Sequence, residues 1–258
     1  MIRKVVIIGS GNVAEALALA IAANPELELV QLFARNSERG RHVAALATTT
    51  WSNDPACLAE ADIYLLAVSD RAVSEVATTL PFPPTAIVAH TAGCVSIEAL
   101  GEHPRRAICY PFQGFSVGRR INFREVPLFL ETADPELMPS LEAFARSLSA
   151  RVYRADSAQR ARIHLAGVFC CNFTNCMYTL AEEQLQQAGL PFDVLRPLIA
   201  ETAAKAIEAD HPAEVQTGPA RRGDAATLER HRTMLTEEHL RTMYNLISQT
   251  IWETSKKI

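Results

Sequence analysis

The sequence predicts an α/β fold, a doubly wound and mostly parallel Rossmann sheet followed by a smaller all-α C-terminal region. Three observations carry that expectation. Through Arg154, short β-branched runs alternate with helical stretches, the pattern of parallel strands joined by crossover helices. Three of the runs, VVIIG from Val5, DIYLLAVS from Asp62 and AIVAHTAG from Ala86, are nearly continuous apolar segments, which suits strands covered by helices on both faces. After Asp156 the strand signal stops, and Ser157 to Gly189 reads as one long helix with apolar residues at 161, 165, 168, 169, 173, 176, 177 and 180.

Taken in order, the expected strands are Arg3 to Ile8, Leu27 to Phe33, Ile63 to Val68, Ala86 to His90, Arg106 to Cys109, Val126 to Leu130 and Arg151 to Tyr153. Beyond the long helix, further helices are expected at about 191 to 209 and 236 to 255. Between them, Asp210 to Arg232 is polar and rich in Pro, Gly and Arg and reads as a long loop. The expected domains are a Rossmann domain over 1–153 and a helical domain over 154–258.

Composition narrows the function classes. With 258 residues and 48% hydrophobic content the chain can fill a sizeable core. A net charge of −4 gives no basic footprint of the kind that neutralises nucleic-acid phosphates. The apolar run at the N-terminus, Val5 to Ile8, is too short for a signal-peptide core, and no later run approaches the ~18 residues of a spanning helix. A cytoplasmic protein with no membrane partner is expected. The six cysteines, Cys57, Cys94, Cys109, Cys170, Cys171 and Cys176, form no Cys-x-x-Cys pair, so free thiols and no metal site are expected.

The chemistry begins at Gly9-Ser10-Gly11-Asn12-Val13-Ala14, a Gly-x-Gly-x-x-Ala string directly after the first strand, with Ala16 to Ala23 continuing as a helix. Gly9 permits the tight turn, Gly11 lets the backbone approach a pyrophosphate, and Ala14 is small enough for close packing of helix on strand. The helix N-terminus offers free N–H groups and a positive dipole to the phosphates. At the end of the second strand an NAD enzyme usually places an acidic side chain against the ribose 2′-hydroxyl. Here the chain reads Ala34-Arg35-Asn36-Ser37, so a 2′-phosphate would meet the Arg35 guanidinium, with Asn36 and Ser37 as further hydrogen-bonding groups. NADP is therefore expected over NAD. Ser37 also suits a helix N-cap, and Arg39 and Arg41 are further candidates for the phosphate.

Ligands of open α/β sheets bind beyond the carboxyl ends of the strands. Small or polar residues gather there: Val68, Ser69 and Asp70 at the end of one strand, His90, Thr91, Ala92 and Gly93 at the end of the next, and Tyr110 to Gln113 at the end of the third. We place Val68, Ser69, His90 and Thr91 among the candidate cofactor residues. Helix capping by Ser69 and a buried, backbone-bonded His90 are the structural alternatives.

The strings GSGNVA, FARNS, LLAVSD and HTAG resemble the NADP-dependent superfamily of pyrroline-5-carboxylate reductase, 6-phosphogluconate dehydrogenase and 3-hydroxyisobutyrate dehydrogenase. HTAG, YPFQGFS, RIHLAGVFCCNF and TGPARRGD together are more specifically similar to Rossmann-like NADP oxidoreductases with a C-terminal helical domain of unknown function. The resemblance spans nearly the whole chain and implies an NADP oxidoreductase that dimerises through the helical domain; it names no substrate. The dehydrogenases of that superfamily carry a catalytic Lys in the long helix and an Asn four residues later, where this chain has Arg160 and His164. Arginine cannot deliver a proton, so the general acid or base would be His164, with Arg160 one turn earlier as an anchor for a substrate carboxylate. Asn172 lies roughly 12 Å further along the helix axis, so it and His164 can at most bracket a ligand. The TGPARRGD segment, Thr217 to Asp224, offers Arg221 and Arg222 to an anionic substrate or an interface, or is pinned internally by pairs such as Arg222 with Asp224. The expected activity is hydride transfer between nicotinamide and a small carbonyl, hydroxyl or imine substrate. The alternative is an NADP(H)-binding regulatory or scaffold protein without turnover.

Overall fold

The computed structural model describes residues 1–257. The chain divides into two compact units, 1–177 and 178–258. The first holds one eight-stranded sheet: β1 (Lys4–Ile8), β2 (Glu28–Phe33), β3 (Thr50–Ser52), β4 (Ile63–Leu66), β5 (Ile87–His90), β6 (Arg106–Pro111), β7 (Leu128–Thr132) and β8 (Val152–Arg154). Their order is β3-β2-β1-β4-β5-β6-β7-β8. All neighbours run parallel except β6 and β7, which are antiparallel with Cys109 opposite Leu130. The order reverses between β1 and β4, and that switch point sets where a ligand can enter.

Apolar runs become central strands because both faces are covered. Val5 to Ile8 and all of β4 and β5 are buried, with one core on each side of the sheet. The helices of this unit are α1 (Asn12–Ala22), α2 (Ser37–Leu46), α3 (Val73–Thr79), α4 (Met138–Leu148) and α5 (Ser157–Gly167). Helix α1 buries Ala14, Leu17, Ala18 and Ile21, and α4 buries Leu141, Phe144, Ala145 and Leu148, the i, i+3, i+4, i+7 stripe of a helix laid on a sheet. Helix α5 starts in a capping box, where the Asp156 side chain accepts from the Gln159 N–H and the Gln159 side chain accepts from Asp156 N–H. It runs through a π-helical segment, Val168–Phe173, into α6 (Thr174–Gln187), so the predicted long helix forms with a wide turn inside it.

The second unit continues with α7 (Arg196–Glu208), α8 (Pro219–Arg222), α9 (Ala225–Met234) and α10 (Glu238–Ser255). Helices α8 and α9, with a 3₁₀ turn at Pro212–Val215, occupy the stretch expected to be a loop. Its glycines and Asp punctuate helices rather than exclude them. Gly218 precedes α8, Gly223 ends it in the left-handed conformation, and Asp224 caps α9 by accepting from Thr227 N–H at 3.0 Å. The three-residue edge strand β3 also goes beyond the expected set, being too short to show a period.

Candidate functional site

A cleft of about 850 Å³ runs along the carboxyl ends of the strands, wholly within the first unit. Its floor at the switch point is the glycine loop. Gly9 sits at φ +121°, and a Cβ there would lie 2.2 Å from the Ala67 carbonyl oxygen, so only glycine lets β1 turn this close to β4. A Cβ on Gly11 would meet nothing within 4 Å, because it faces the open cleft. Gly11 also caps α1 without any side-chain hydrogen bond, which leaves the first amides of the helix without a side-chain acceptor. Helix N-terminal amides without a side-chain acceptor, beside a loop that lines the cleft, can hold an anion such as a pyrophosphate. Two ties brace the loop from behind. Asn12 Nδ2 donates to Phe115 O at 3.1 Å, and Arg39 donates to Ser10 O at 3.3 Å while pairing with Glu15 of α1.

At one end of the cleft, Arg35 holds its guanidinium 3.7 Å from Glu75, with both side chains more than half exposed. Such a pair is weak and easily exchanged for another anion. Its neighbours are committed: Arg39 to the loop, and Arg41 over the Trp51 ring at 4.8 Å. Of the three arginines, Arg35 is the one lining the cleft. Asn36 lines it as well and caps α2, accepting from Arg39 N–H at 3.0 Å; Ser37 is the first residue of that helix and lies outside the cleft wall.

Val68, Ser69 and Thr91 line the middle. The Ser69 hydroxyl makes no capping bond, so it is available to a ligand, whereas the Thr91 hydroxyl donates to Leu66 O at 3.3 Å. His90 is fully buried and away from the wall. Its Nδ1 accepts from Ala92 N–H at 3.2 Å and its Nε2 stands 3.3 Å from Ser96 O, which folds the loop that carries Thr91 and Gly93. Burial pushes its pKa down to about 4 and keeps the ring neutral.

At the other end, His164 of α5 reaches the cleft with its Nδ1 3.1 Å from the Tyr110 hydroxyl. Burial first, then the nearby Cys94 and Asp70, raises the Tyr110 phenol to about 12, so it stays protonated. Gly93 makes the pair possible: a Cβ there would stand 2.7 Å from His164 Nδ1 and 2.8 Å from Tyr110 Cζ. Arg160, one turn before His164, turns inward instead. It is wholly buried, pairs with Glu131 of β7, and donates to Val95 O at 2.6 Å. The guanidinium therefore pins α5 to the sheet and does not line the cleft, because Glu131 and the Val95 carbonyl already occupy it. Asn172 belongs to an adjoining cavity that also contains His164 and Tyr110. Thus Gly9, Ser10, Gly11, Asn12, Val13, Arg35, Asn36, Val68, Ser69, Thr91 and His164 share the cleft, and Ser37, His90, Arg160 and Asn172 do not.

The sequence places Tyr110 among the strand-end residues without giving it a role, and it does not point to Glu75 at all. Tyr110 lies near the end of β6, where nothing local marks it as a partner of His164, and Glu75 carries no local signal. In the second unit, Arg221 donates to the carbonyl oxygens of Glu214 and Gln216, and Arg222 lines a separate cavity with Arg232, Tyr244 and Trp252. Among the described residues no group of three or more His, Cys, Asp or Glu could hold a metal, and no helix is long and apolar enough to cross a membrane.

The sheet order and the cleft at its switch point define a doubly wound Rossmann protein with a ligand site at the carboxyl ends of its strands. Residues 4–93 match the family model described as NADP oxidoreductase, coenzyme F420-dependent, and residues 126–251 match a domain of unknown function, DUF2520. A solved structure titled putative NADP oxidoreductase, from Bacteroides fragilis, is 39% identical over 97% of this chain and 98% of its own, with a TM-score of 0.90. The chain belongs to this family of Rossmann NADP oxidoreductases with a C-terminal helical region. Two further structures share the fold. A Thermotoga maritima protein is 19% identical over 98% of this chain and 99% of its own, with a TM-score of 0.80. A Streptococcus pyogenes pyrroline-5-carboxylate reductase is 14% identical over 99% of this chain and 98% of its own, with a TM-score of 0.66. No curated protein matches the chain.

Proposed function

We propose that the protein is an NADP-dependent oxidoreductase that passes a hydride between nicotinamide and a small carbonyl, hydroxyl or imine compound. The observation that carries this reading is the polarity of the cleft: anion-binding groups at one end, Arg35 and the free amides of α1, and a proton-carrying pair, His164 and Tyr110, at the other. Gly9, Ser10, Gly11, Asn12 and Val13 would hold the pyrophosphate, Arg35 with Asn36 the 2′-phosphate, and Val68, Ser69 and Thr91 the inner ribose.

Held by these residues, a reduced nicotinamide would supply hydride to the carbon of a C=O or C=N bond, and the heteroatom of that bond would need a proton from the chain. The chain delivers the proton through His164. Nδ1 is engaged by Tyr110, so Nε2 is the ring atom that exchanges it. A phenol can both donate and accept. With His164 protonated, the Tyr110 oxygen accepts from Nδ1–H. After Nε2 has given up its proton, Nδ1–H remains bonded to that oxygen and the imidazole is left neutral in a defined tautomer. The helical second unit is the proposed dimerisation element.

Calorimetric titration with NADPH and NADH tests the cofactor. NADPH should bind more tightly, and Arg35→Ala should bring its affinity to within about threefold of NADH; equal affinities in the wild type would refute the 2′-phosphate role of Arg35. His164→Ala should keep NADPH binding and lose turnover by about 10²-fold or more. Retained turnover would exclude His164 as the proton carrier, and NADPH binding with no turnover against any carbonyl, imine or alcohol would point to a sensor.

A further inference from the structure

We infer that Arg160 is a positioning residue: its buried ion pair with Glu131 sets the register of α5 on the sheet, and that register is what brings His164 to Tyr110. The inference rests on the proton-carrying role proposed for His164 and adds to it what holds that ring in place.

The strands supply the ruler. β6 and β7 are antiparallel, with Ile108 opposite Glu131 and Tyr110 opposite Phe129. Side chains two residues apart on a strand share a face, so these four look out from the same side of the sheet. Helix α5 lies on that side, since Ile163 packs against the apolar cluster that contains Ile108 and Tyr110. There Arg160 meets Glu131, and His164 meets Tyr110 with Nδ1 3.1 Å from the hydroxyl. Four helical residues rise about 6 Å. Two residues of an antiparallel strand advance about 6.8 Å. The spacings agree closely enough for both contacts to form at once, so a helix clamped at the first point delivers the second.

The clamp is built from both sides. Arg160 is wholly buried, and the Ser157 hydroxyl also reaches the Glu131 carboxylate, at 3.1 and 3.0 Å from its two oxygens. The start of α5 thus holds one carboxylate with two side chains. The other end of the guanidinium donates to Val95 O at 2.6 Å, in the segment that follows β5. That segment carries Gly93, which packs against both the His164 and Tyr110 rings so tightly that a Cβ would collide with each. One side chain therefore fixes the helix that bears His164 and the loop that abuts the pair. A guanidinium suits the task because its planar fork donates in two fixed directions, as an ammonium does not. Sliding α5 along the sheet would separate the two charges in a place where neither is well hydrated, so the pair selects this register over its neighbours.

The state of the His164 ring reports its position without any substrate. In mildly alkaline solution, where imidazoles are ordinarily neutral, ¹⁵N shifts of the full-length protein give the tautomer ratio of each histidine. His164→Gln assigns the signal, and Tyr110→Phe supplies the ratio of a ring without its partner. Arg160→Met combined with Glu131→Leu removes both charges and refills their space, a replacement that buried pairs often tolerate. This double variant should melt cooperatively, bind NADPH within about twofold of the wild type, and show the His164 ratio of Tyr110→Phe. Leu141→Ala, a core truncation on α4, should lower the melting temperature yet keep the wild-type ratio. A wild-type ratio in the double variant, or an equal change in Leu141→Ala, would overturn the inference. So would a double variant that cannot fold, since the pair would then serve the whole fold and not the site, or a ratio that Tyr110→Phe leaves unchanged. Absence of NADPH binding by the wild type would refute the oxidoreductase reading itself, and the positioning of a proton carrier with it, whatever the tautomer.

Discussion

His90 ends β5 with its imidazole fully buried and held neutral, its pKa pushed down to about 4 by desolvation. An unfolded histidine takes up a proton as the pH drops through about 6.5, whereas the folded one resists until about 4. The unfolded chain thus binds more protons across that window, and stability falls as the pH is lowered from about 6.5 towards 4, by at most about 3 kcal/mol from this group. Urea midpoints at pH 7 and pH 4.5 should differ more for the wild type than for His90→Gln, whose amide can replace Nε2–H; identical pH dependence in the two proteins would refute the assignment. The same scale shows what a sequence can reveal about a site. Arg35 is legible because a Rossmann fold fixes the position that follows the second strand, so an arginine there acquires a geometric meaning from its place in the chain alone. Arg160 is not. Helical spacing places it on the face of His164 but says nothing about what stands opposite, and its partner Glu131 lies 29 residues earlier on β7 with no pattern to link them.

Between strand and helix, the glycine loop separates two functions that the motif leaves merged. Gly9 serves the fold: its φ of +121° and the Ala67 carbonyl 2.2 Å from a hypothetical Cβ make Gly9→Ala costly by about 1–3 kcal/mol from backbone strain alone. Gly11 is not required by the backbone, with ordinary angles and open space in front of it, and in the proposed reading its place is against the phosphates. Gly11→Ala should leave the melting temperature within about one degree of wild type and weaken NADPH binding tenfold or more, while Gly9→Ala should lower the melting temperature by at least several degrees. Were Gly11→Ala to bind NADPH normally, the phosphates would not lie against this loop. Elements with a strong period or a continuous apolar run, such as β4, β5 and α1, are readable from sequence because a sheet covered on both faces demands them. Helices α8 and α9 are not, since Gly, Pro and Asp between them look like loop residues until they are seen as caps. The π turn has no sequence signature at all, though it shapes the cavity beside His164.

For the whole molecule, the second unit poses a problem of burial. Of residues 178–257 only Ala220 is buried, and Leu190, Val194, Leu198, Ile207, Met234, Leu246 and Ile247 are exposed large apolar side chains. Each isolated case is ordinary, but a helical unit with so little core of its own cannot offset the conformational entropy of ordering its chain. Extended apolar surface of this kind marks an interaction site. The homodimer proposed above would supply what is missing, since obligate interfaces bury about 2,000–5,000 Å² and resemble a domain core divided between subunits. Light scattering at micromolar concentration should give twice the chain mass. Leu198→Glu combined with Leu246→Glu should shift the population to monomer and lower the melting temperature, because a carboxylate placed in an apolar interface loses its water and gains no partner. The Rossmann unit carries its own buried cores on both faces of the sheet, so in that variant NADPH affinity should fall far less than dimerisation does. A wild-type monomer at micromolar concentration would refute the dimer. A double variant that stays dimeric would move the interface away from these two side chains.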